Sequence, residues 1–319
     1  MAFISSSILD IAEILKQSDI AAIPTETVYG LAGNAYDQVV LKKIFELKQR
    51  PFFNPLIVHI KSATDLDLVA AHIPPQAQLL ANTFWPGPLT LVLKKQTHIL
   101  DLVTAGKDTV AVRVPNHPVA LELLQQLDFP LAAPSANPFS SISPTKATHV
   151  ANYFEHTPLP ILEGGECSNG IESTIIGFEN DVAVLYRMGS IPIEAIEKVI
   201  GPLKIKTQCE ATPAAPGMLS KHYAPKTTTI QSDTILESIH ANTTKRIGLL
   251  SFKNRFEHES IVAQKVLSAK GDLAEAAACL YDALHELDQL QLDIIIAERF
   301  PEQHLGRTIN DRLARATKK

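Results

Sequence analysis

Two short stretches carry polar groups in an arrangement suited to anions. Ile23 to Leu31 reads Ile-Pro-Thr-Glu-Thr-Val-Tyr-Gly-Leu, and Lys48-Gln49-Arg50-Pro51 follows after one helix-length stretch. Asp19 to Ile23 has the apolar character of a short buried strand, and Pro24 ends it and turns the chain toward a loop. Two hydroxyls, the Glu26 carboxylate and the Tyr29 phenol therefore stand at a strand end, where open α/β sheets bind ligands. Gln38 to Lys48 has helical spacing, so Lys48 and Arg50 close a helix. Two cations two residues apart beside a proline suit a phosphate clamp.

Further segments place polar groups in or after apolar runs. Asn54-Pro55-Leu56-Ile57-Val58-His59-Ile60 sets a histidine in a buried strand pattern, where alone it reads as a core residue. In Thr109-Val110-Ala111-Val112-Arg113-Val114-Pro115 an arginine interrupts an apolar alternation and has either to face solvent or to find an anion. Pro130 to Asn137 ends a strand with Ser135 and Asn137, followed by Ser140, Ser141 and Ser143. Such small groups let backbone N–H groups approach a phosphate or ribose, although Ser-Ala-Asn-Pro by itself is an ordinary turn. Gly164-Gly165 and Ile171-Glu172-Ser173-Thr174-Ile175 precede Tyr186-Arg187-Met188-Gly189, adding Ser173 and Arg187. Phe84-Trp85-Pro86-Gly87-Pro88 reads as a helix end and rigid turn, with Trp85 filling a core.

The elements that position these groups follow from periodicity. Ile8 to Gln17 has amphipathic helical spacing, and strands are expected at Pro55–Ile60, Leu89–Leu93, Thr109–Val114, Pro130–Ala133, Ser173–Phe178 and Val182–Tyr186. Helical patterns lie between them at Asp65–His72, Pro75–Thr83, Pro118–Leu127 and Ile193–Ile200. Consecutive late strands with little helix between them imply a mixed sheet. Thr207 to Lys226, with Pro213, Pro216, Gly217 and Pro225, reads as a linker. Beyond it strands at Thr227–Ile230, Arg246–Phe252, Ser260–Val266 and Leu292–Glu298 alternate with helices at Asp233–Ala241, Leu273–Leu290 and Gly306–Thr317. That alternation predicts a small α/β unit with a parallel sheet, lacking the glycine-rich turn of a dinucleotide site.

Composition narrows the class. The 319 residues suit one large domain plus a smaller one, and 45% hydrophobic with 20% charged residues supports a full globular core. No long apolar run appears and Met1 to Ser7 lacks a basic flank, so neither membrane spanning nor secretion is expected. Cys167, Cys209 and Cys279 form no Cys-x-x-Cys pair, which points to a reducing cytoplasm and to small buried thiols. A net charge of −5 argues against a protein that coats nucleic acid. The cations of Arg307 to Lys319 read as a solvated helix end, or as a local RNA contact.

These motifs, in this order over the first part of the chain, resemble the YrdC/Sua5 family, whose members make threonylcarbamoyl-adenylate for the t6A modification of tRNA at position 37. The linker and small α/β unit resemble the longer, Sua5-type branch. The resemblance implies a YrdC-like catalytic domain over 1–203, a large twisted mixed sheet with flanking helices. It further implies a linker or lid over 204–226 and a Rossmann-like C-terminal domain over 227–319. It implies a nucleotidyltransferase that joins L-threonine, bicarbonate or CO2 and ATP, with Mg²⁺ accompanying ATP. Thr27, His59, Arg113, Ala133 and Ser173 are then expected to hold L-threonine, with Arg113 on its carboxylate. Lys48, Arg50, Asn54, Thr109, Ser143 and Arg187 are expected to bind ATP, with Ser135 and Asn137 close to both ligands and His222 and Tyr223 folding over the pocket. Lys48, Arg50 and Arg113 carry the catalytic charge. One departure is Ala32, where many relatives have glycine. The resemblance leaves room for tRNA contact and hand-over of the product to a downstream transferase. The alternatives are a non-catalytic double-stranded RNA or tRNA-binding module, and a carbamoyl-adenylate-forming enzyme.

Overall fold

The computed structural model describes residues 1–207, 215–216 and 223–318. Among the described residues, twelve strands form one large sheet. Eleven of them lie in the spatial order Phe3–Ser5, Pro160–Leu162, Ala21–Ile23, Gly30–Asn34, Leu131–Ala132, Ile57–His59, Thr109–Arg113, Leu89–Lys95, Thr174–Glu179, Val182–Arg187 and Lys204–Ile205. Ala70–His72 pairs beside Leu89–Lys95. Ile57–His59 runs parallel to Thr109–Arg113, whereas Leu89–Lys95 runs antiparallel to it, so the sheet is mixed. A second sheet, Thr229–Ser232, Ile294–Glu298, Ile247–Ser251 and Ile261–Val266, is parallel throughout. No helix among the described residues is long and apolar enough to cross a membrane.

Local chemistry explains the elements that reach the site. Helix Gln38–Lys48 starts where Asp37 Oδ1 accepts from the N–H groups of Val39 and Val40 at 2.8 and 3.3 Å. It ends at Gln49 in the left-handed region, after which the Arg50 N–H bonds back to the Phe45 carbonyl at 2.9 Å. The closing turn tucks Lys48 inward. Gly33 allows this helix to lie against its strand, because a Cβ there would stand 2.3 Å from Val40 Cγ1. Ala32 is fully buried among Ile23, Leu131 and Ala133, so its methyl is core volume.

Two expectations change here. Asp65–His72 is not a helix: a 3-10 turn, Ala63–Leu68, leads into the strand Ala70–His72. Leu66 and Val69 are buried three residues apart, a spacing that fits three residues per turn, while Leu68 is exposed. The C-terminal cations are only in part a solvated helix end: Lys318 is exposed and Arg307 partly so, but two are not. Arg312 and Arg315 on helix Leu305–Ala316 are buried, Arg315 pairing with Asp311 at 3.0 Å. Cys167 is buried as expected, Cys279 is exposed, and Cys209 lies outside the described residues.

The second unit packs onto the loops of the first. Ile142, Ile171 and Val28 share a core with Tyr281, Leu284 and Leu313. Gly170, at φ +66, abuts helix Leu273–Asp288, where a Cβ would meet the Ala278 carbonyl oxygen at 2.1 Å. His149 stacks on His285 with ring centroids 3.9 Å apart, and His285 Nε2 bonds the Ser143 carbonyl at 3.2 Å. Asp282 lies 3.3 Å from His149 and 2.9 Å from Lys146, and Asp288 is a further charge nearby. Burial, then the charge of His149, lowers His285 to about 4. His285 is therefore neutral when packed, and its contribution is full above its ordinary value and lost as pH falls from 6.5 toward 4. Thermal denaturation across that window should show a loss on the order of 2 kcal/mol that His285→Asn flattens. An equal slope in the variant would remove this assignment.

Candidate functional site

Three arginines from separate elements, Arg50, Arg113 and Arg187, border one cavity at the strand ends. Thr27, Arg50, His59, Arg113, Ala133, Ser135, Ser173, Arg187 and Tyr223 all border it. His59 and Arg113 are register partners on adjacent parallel strands, which sets them side by side. The loop after Pro24 is shaped by Thr25, whose Oγ1 accepts from the N–H groups of Thr27 and Val28 at 3.1 and 3.2 Å. Gly30 bridges to Ser135, bringing the two loops to one rim.

On one side, Arg113 Nη1 donates to Thr27 Oγ1 at 2.9 Å and Nε to the Gly87 carbonyl at 3.3 Å. Gly87 belongs to the turn with the cis Trp85–Pro86 bond, so a turn expected to be structural also steadies a site residue. Trp85 itself is buried, its indole N–H on the Leu89 carbonyl at 2.7 Å. Burial, reinforced by the Arg113 charge, lowers His59 to about 3, so its imidazole is neutral at ordinary pH. Its buried Nδ1 has no hydrogen-bond partner among the described residues.

The opposite side holds two guanidiniums whose hydrogen bonds go to neutral oxygens. Arg50 donates to the carbonyls of Asn54 and Pro55 at 3.1 and 2.7 Å. Arg187 donates to the Ser173 carbonyl at 2.8 Å, to Ser173 Oγ at 3.0 Å and to the Pro216 carbonyl at 3.2 Å. Burial lowers both pKa values, Arg50 to about 9, with Arg187 adding to the effect and Tyr223 opposing it. An arginine keeps its proton even so, and two desolvated cations on one wall make a receptor for a polyanion. Ser173, whose hydroxyl also bonds Thr90 at 2.7 Å, stands between the two sides.

Other expected residues are not at the cavity surface. Lys48 is buried, and its ammonium donates to the carbonyls of Ser135 and Asn137, both at 2.5 Å. Burial and the charge of Arg50 press its pKa well below the ordinary lysine value. It therefore pins the Ser135 loop from behind. Asn137 donates to the carbonyls of Pro138 and Ser141 at 2.9 Å, bracing the same loop. Asn54 supplies its backbone carbonyl to Arg50, and its buried side-chain amide finds no hydrogen-bond partner among the described residues. Ser143 donates to Glu172 Oε1 at 2.7 Å. Thr109 lies at the opposite end of its strand from Arg113 and borders a separate surface hollow with Lys94 and His72. Ala111 separates them on the same face, beneath Ala215. Tyr29 turns away from the cavity, its hydroxyl donating to the Gly165 carbonyl at 2.9 Å. His222 lies outside the described residues.

Two carboxylates that were given no ligand role support the site. Glu26 Oε1 is 2.7 Å from Arg113 Nη2, both groups buried, so Arg113 is braced from outside the cavity. Glu172 borders the cavity and accepts from Ser143, Tyr281 and Arg312. Burial pushes its carboxyl up, but Arg312, Arg187 and the Ser143 hydroxyl outweigh this and hold it below the usual carboxylate range. Glu26 and Glu172 were visible beside Thr27 and Ser173, yet a surface carboxylate looks the same in sequence. Among the described residues no cluster of three metal-ligating side chains occurs.

Fold and cavity together define an α/β protein with a cation-lined pocket, whose second parallel unit packs behind the Glu172 and Tyr223 wall. The family model of Sua5, YciO and YrdC proteins, described as telomere recombination, matches residues 13–189, and the model described as threonylcarbamoyl-AMP synthase, C-terminal domain, matches 191–317. The chain belongs to the Sua5/YciO/YrdC family and carries the C-terminal domain of its longer members. It is 40% identical to the threonylcarbamoyl-AMP synthase of Pyrococcus abyssi over 316 residues, 96% of this chain and 92% of the relative. Identity to the Bacillus subtilis threonylcarbamoyl-AMP synthase is also 40%, over 96% of this chain and 91% of the relative. The crystal structure of P. abyssi Sua5 complexed with L-threonine superposes with a TM-score of 0.92 at 38% identity, covering 99% of this chain and 97% of that one.

Proposed function

We propose that this protein joins L-threonine, bicarbonate or CO2 and ATP into threonylcarbamoyl-AMP, releasing pyrophosphate, for the threonylcarbamoyladenosine modification of tRNA. One observation carries the reading: Arg50, Arg113 and Arg187 converge on a single cavity, with Thr27 and His59 beside Arg113. In the reaction the threonine amine adds to CO2 and loses a proton, giving a carbamate. A carbamate oxygen then attacks the α-phosphate of ATP, and the bond to the β-phosphate breaks. Both partners are anionic, so the protein has to supply cations and proximity and to exclude water.

Arg113 takes the threonine carboxylate, and Thr27, neutral His59, Ala133 and Ser173 enclose the rest. Arg50 and Arg187 face the phosphates, and Ser135 lies between. Lys48 and Asn137 act on both ligands through the Ser135 loop, and Asn54 and Ser143 act through Arg50 and Glu172. Thr109 is reached by the far end of the nucleotide along the sheet face once Ala215 is displaced. The segment holding Pro216 and Tyr223 serves as a lid, within a division into 1–203, 204–226 and 227–319. Glu172 is already occupied by three donors, so Mg²⁺ arrives with ATP, held by its phosphates and water. Hand-over of the unstable product to a transferase completes the scheme. The burial of Arg312 and Arg315 removes cations from the surface that an RNA-binding role needs.

Arg187→Ala removes a phosphate-facing cation and the ties to Pro216 and Ser173, and is expected to raise the ATP KM at least roughly tenfold, with a smaller rise for threonine through Ser173. Initial rates of pyrophosphate release check this. The function itself is tested with labelled bicarbonate, ATP and Mg²⁺. A labelled adenylate that forms only when L-threonine is present supports it. Label without an amino acid indicates carbamoyl-adenylate chemistry, and no adenylate under any condition refutes synthesis.

A further inference from the structure

Arg312 sits on the last helix of the C-terminal unit, yet it ends inside the wall of the cavity. Its Nε donates to Glu172 Oε2 at 2.8 Å and its Nη2 to the Met188 carbonyl at 2.6 Å, and the side chain is 1% exposed. The guanidinium carbon stands 4.9 Å from the centre of the Tyr223 ring. Tyr281 completes the group: its hydroxyl reaches the same Glu172 oxygen at 3.0 Å and its ring stacks on Tyr223 at 5.7 Å. Glu172 and Tyr223 both border the cavity on the side of Arg50 and Arg187.

This arrangement matters because Glu172 is an anion on the wall that receives phosphates. Left alone, it would repel a polyphosphate and draw Arg187 toward itself. Arg312 compensates that charge from outside the cavity. Its second neighbour, Asp311 at 2.5 Å, also pairs with Arg315, so the four groups close on themselves without consuming Arg50 or Arg187.

We propose that Arg312 is a positioning residue for the nucleotide half of the site: by neutralising Glu172 and seating Tyr223, it makes the C-terminal unit part of the ATP pocket. The inference rests on reading that half as the ATP site. The test measures KM for ATP and for L-threonine, with thermal midpoints, in wild type, Arg312→Met, Arg312→Lys and the double variant Glu172→Gln/Arg312→Met. Arg312→Met should raise the ATP KM roughly tenfold or more and leave the threonine KM within about twofold. Arg312→Lys should fall between, and the double variant should recover a clear part of the loss, since the uncompensated charge is gone and only the contact with Tyr223 is still missing. A folded Arg312→Met with unchanged ATP KM, an equal rise in both KM values, or a double variant no better than the single one overturns the proposal. If Arg312→Met does not fold, Tyr281→Phe reads the same wall by deleting one hydroxyl. A rise in ATP KM alone then supports the role, and an unchanged value rejects it. Wild-type protein that makes no threonine-dependent adenylate would refute the function itself, a result distinguishable from these.

Discussion

Arg113→Ala is expected to raise the KM for L-threonine by about a hundredfold, corresponding to roughly 3 kcal/mol for a buried, charge-assisted carboxylate contact. Arg113 is 4% exposed and held on three sides, by Thr27, the Gly87 carbonyl and Glu26. Such a fixed guanidinium meets a carboxylate without further ordering of the side chain. The substitution also leaves Glu26 buried without its cation, which should lower stability by about 3 kcal/mol. Lysine is not an adequate replacement, because a point charge cannot satisfy Thr27, Gly87 and a ligand together. Steady-state kinetics at saturating ATP, beside a thermal denaturation curve, separate the two effects. A threonine KM within a few-fold of wild type would detach Arg113 from the amino acid.

Lys48→Met is expected to reduce kcat/KM for both substrates by about a hundredfold, and not for ATP alone. The ammonium of Lys48 holds the carbonyls of Ser135 and Asn137, and Ser135 borders both halves of the cavity. Removing it leaves the buried Asn137 carbonyl without a donor, a cost of about 1–3 kcal/mol, leaves the Ser135 carbonyl with only the Asn137 N–H at 3.1 Å, and frees the loop. A phosphate ligand exposed to the cavity would behave differently, raising the ATP KM with the threonine KM and the thermal midpoint preserved. Paired KM measurements with a melting curve discriminate these outcomes. The contrast with Arg187→Ala, where the ATP KM moves more than the threonine KM, is internal to the same assay.

Much of the architecture was legible because local signals agreed with it. The helical spacing of Gln38 to Lys48, Pro24 after an apolar strand and the regular alternation beyond Thr227 led directly to elements found in place. The strand Gly30–Asn34 was not legible: two of its five residues are glycine, and Gly33 is there for the approach of Val40, not for strand propensity. Asp65–His72 misled because apolar residues three apart satisfy a 3-10 turn as well as a helix. At the site, His59 and Arg113 were singled out by the family resemblance, since a strand histidine alone reads as core and a strand arginine can also face solvent; the structure puts both on the cavity. Charges whose partners are remote in sequence were not legible. Arg312 looked like any helix-end cation because Glu172 lies 140 residues away, and the hold of Lys48 on the Ser135 loop was not legible because its carbonyl partners are 87 and 89 residues away. Glu26 differs: its partner is a strand arginine, and neither residue's burial is written in the local pattern.

The central claim is that an amino acid and a nucleotide meet in one cavity between Arg113 on one side and Arg50 with Arg187 on the other. A crystal structure of the protein with L-threonine and a non-hydrolysable ATP analogue bound together tests it most directly. The account predicts the threonine carboxylate on Arg113, the phosphates against Arg50 and Arg187, and the threonine amine facing the α-phosphate across a gap that a CO2 unit can fill. A nucleotide bound elsewhere, or threonine lying away from Arg113 with both ligands present, would contradict it.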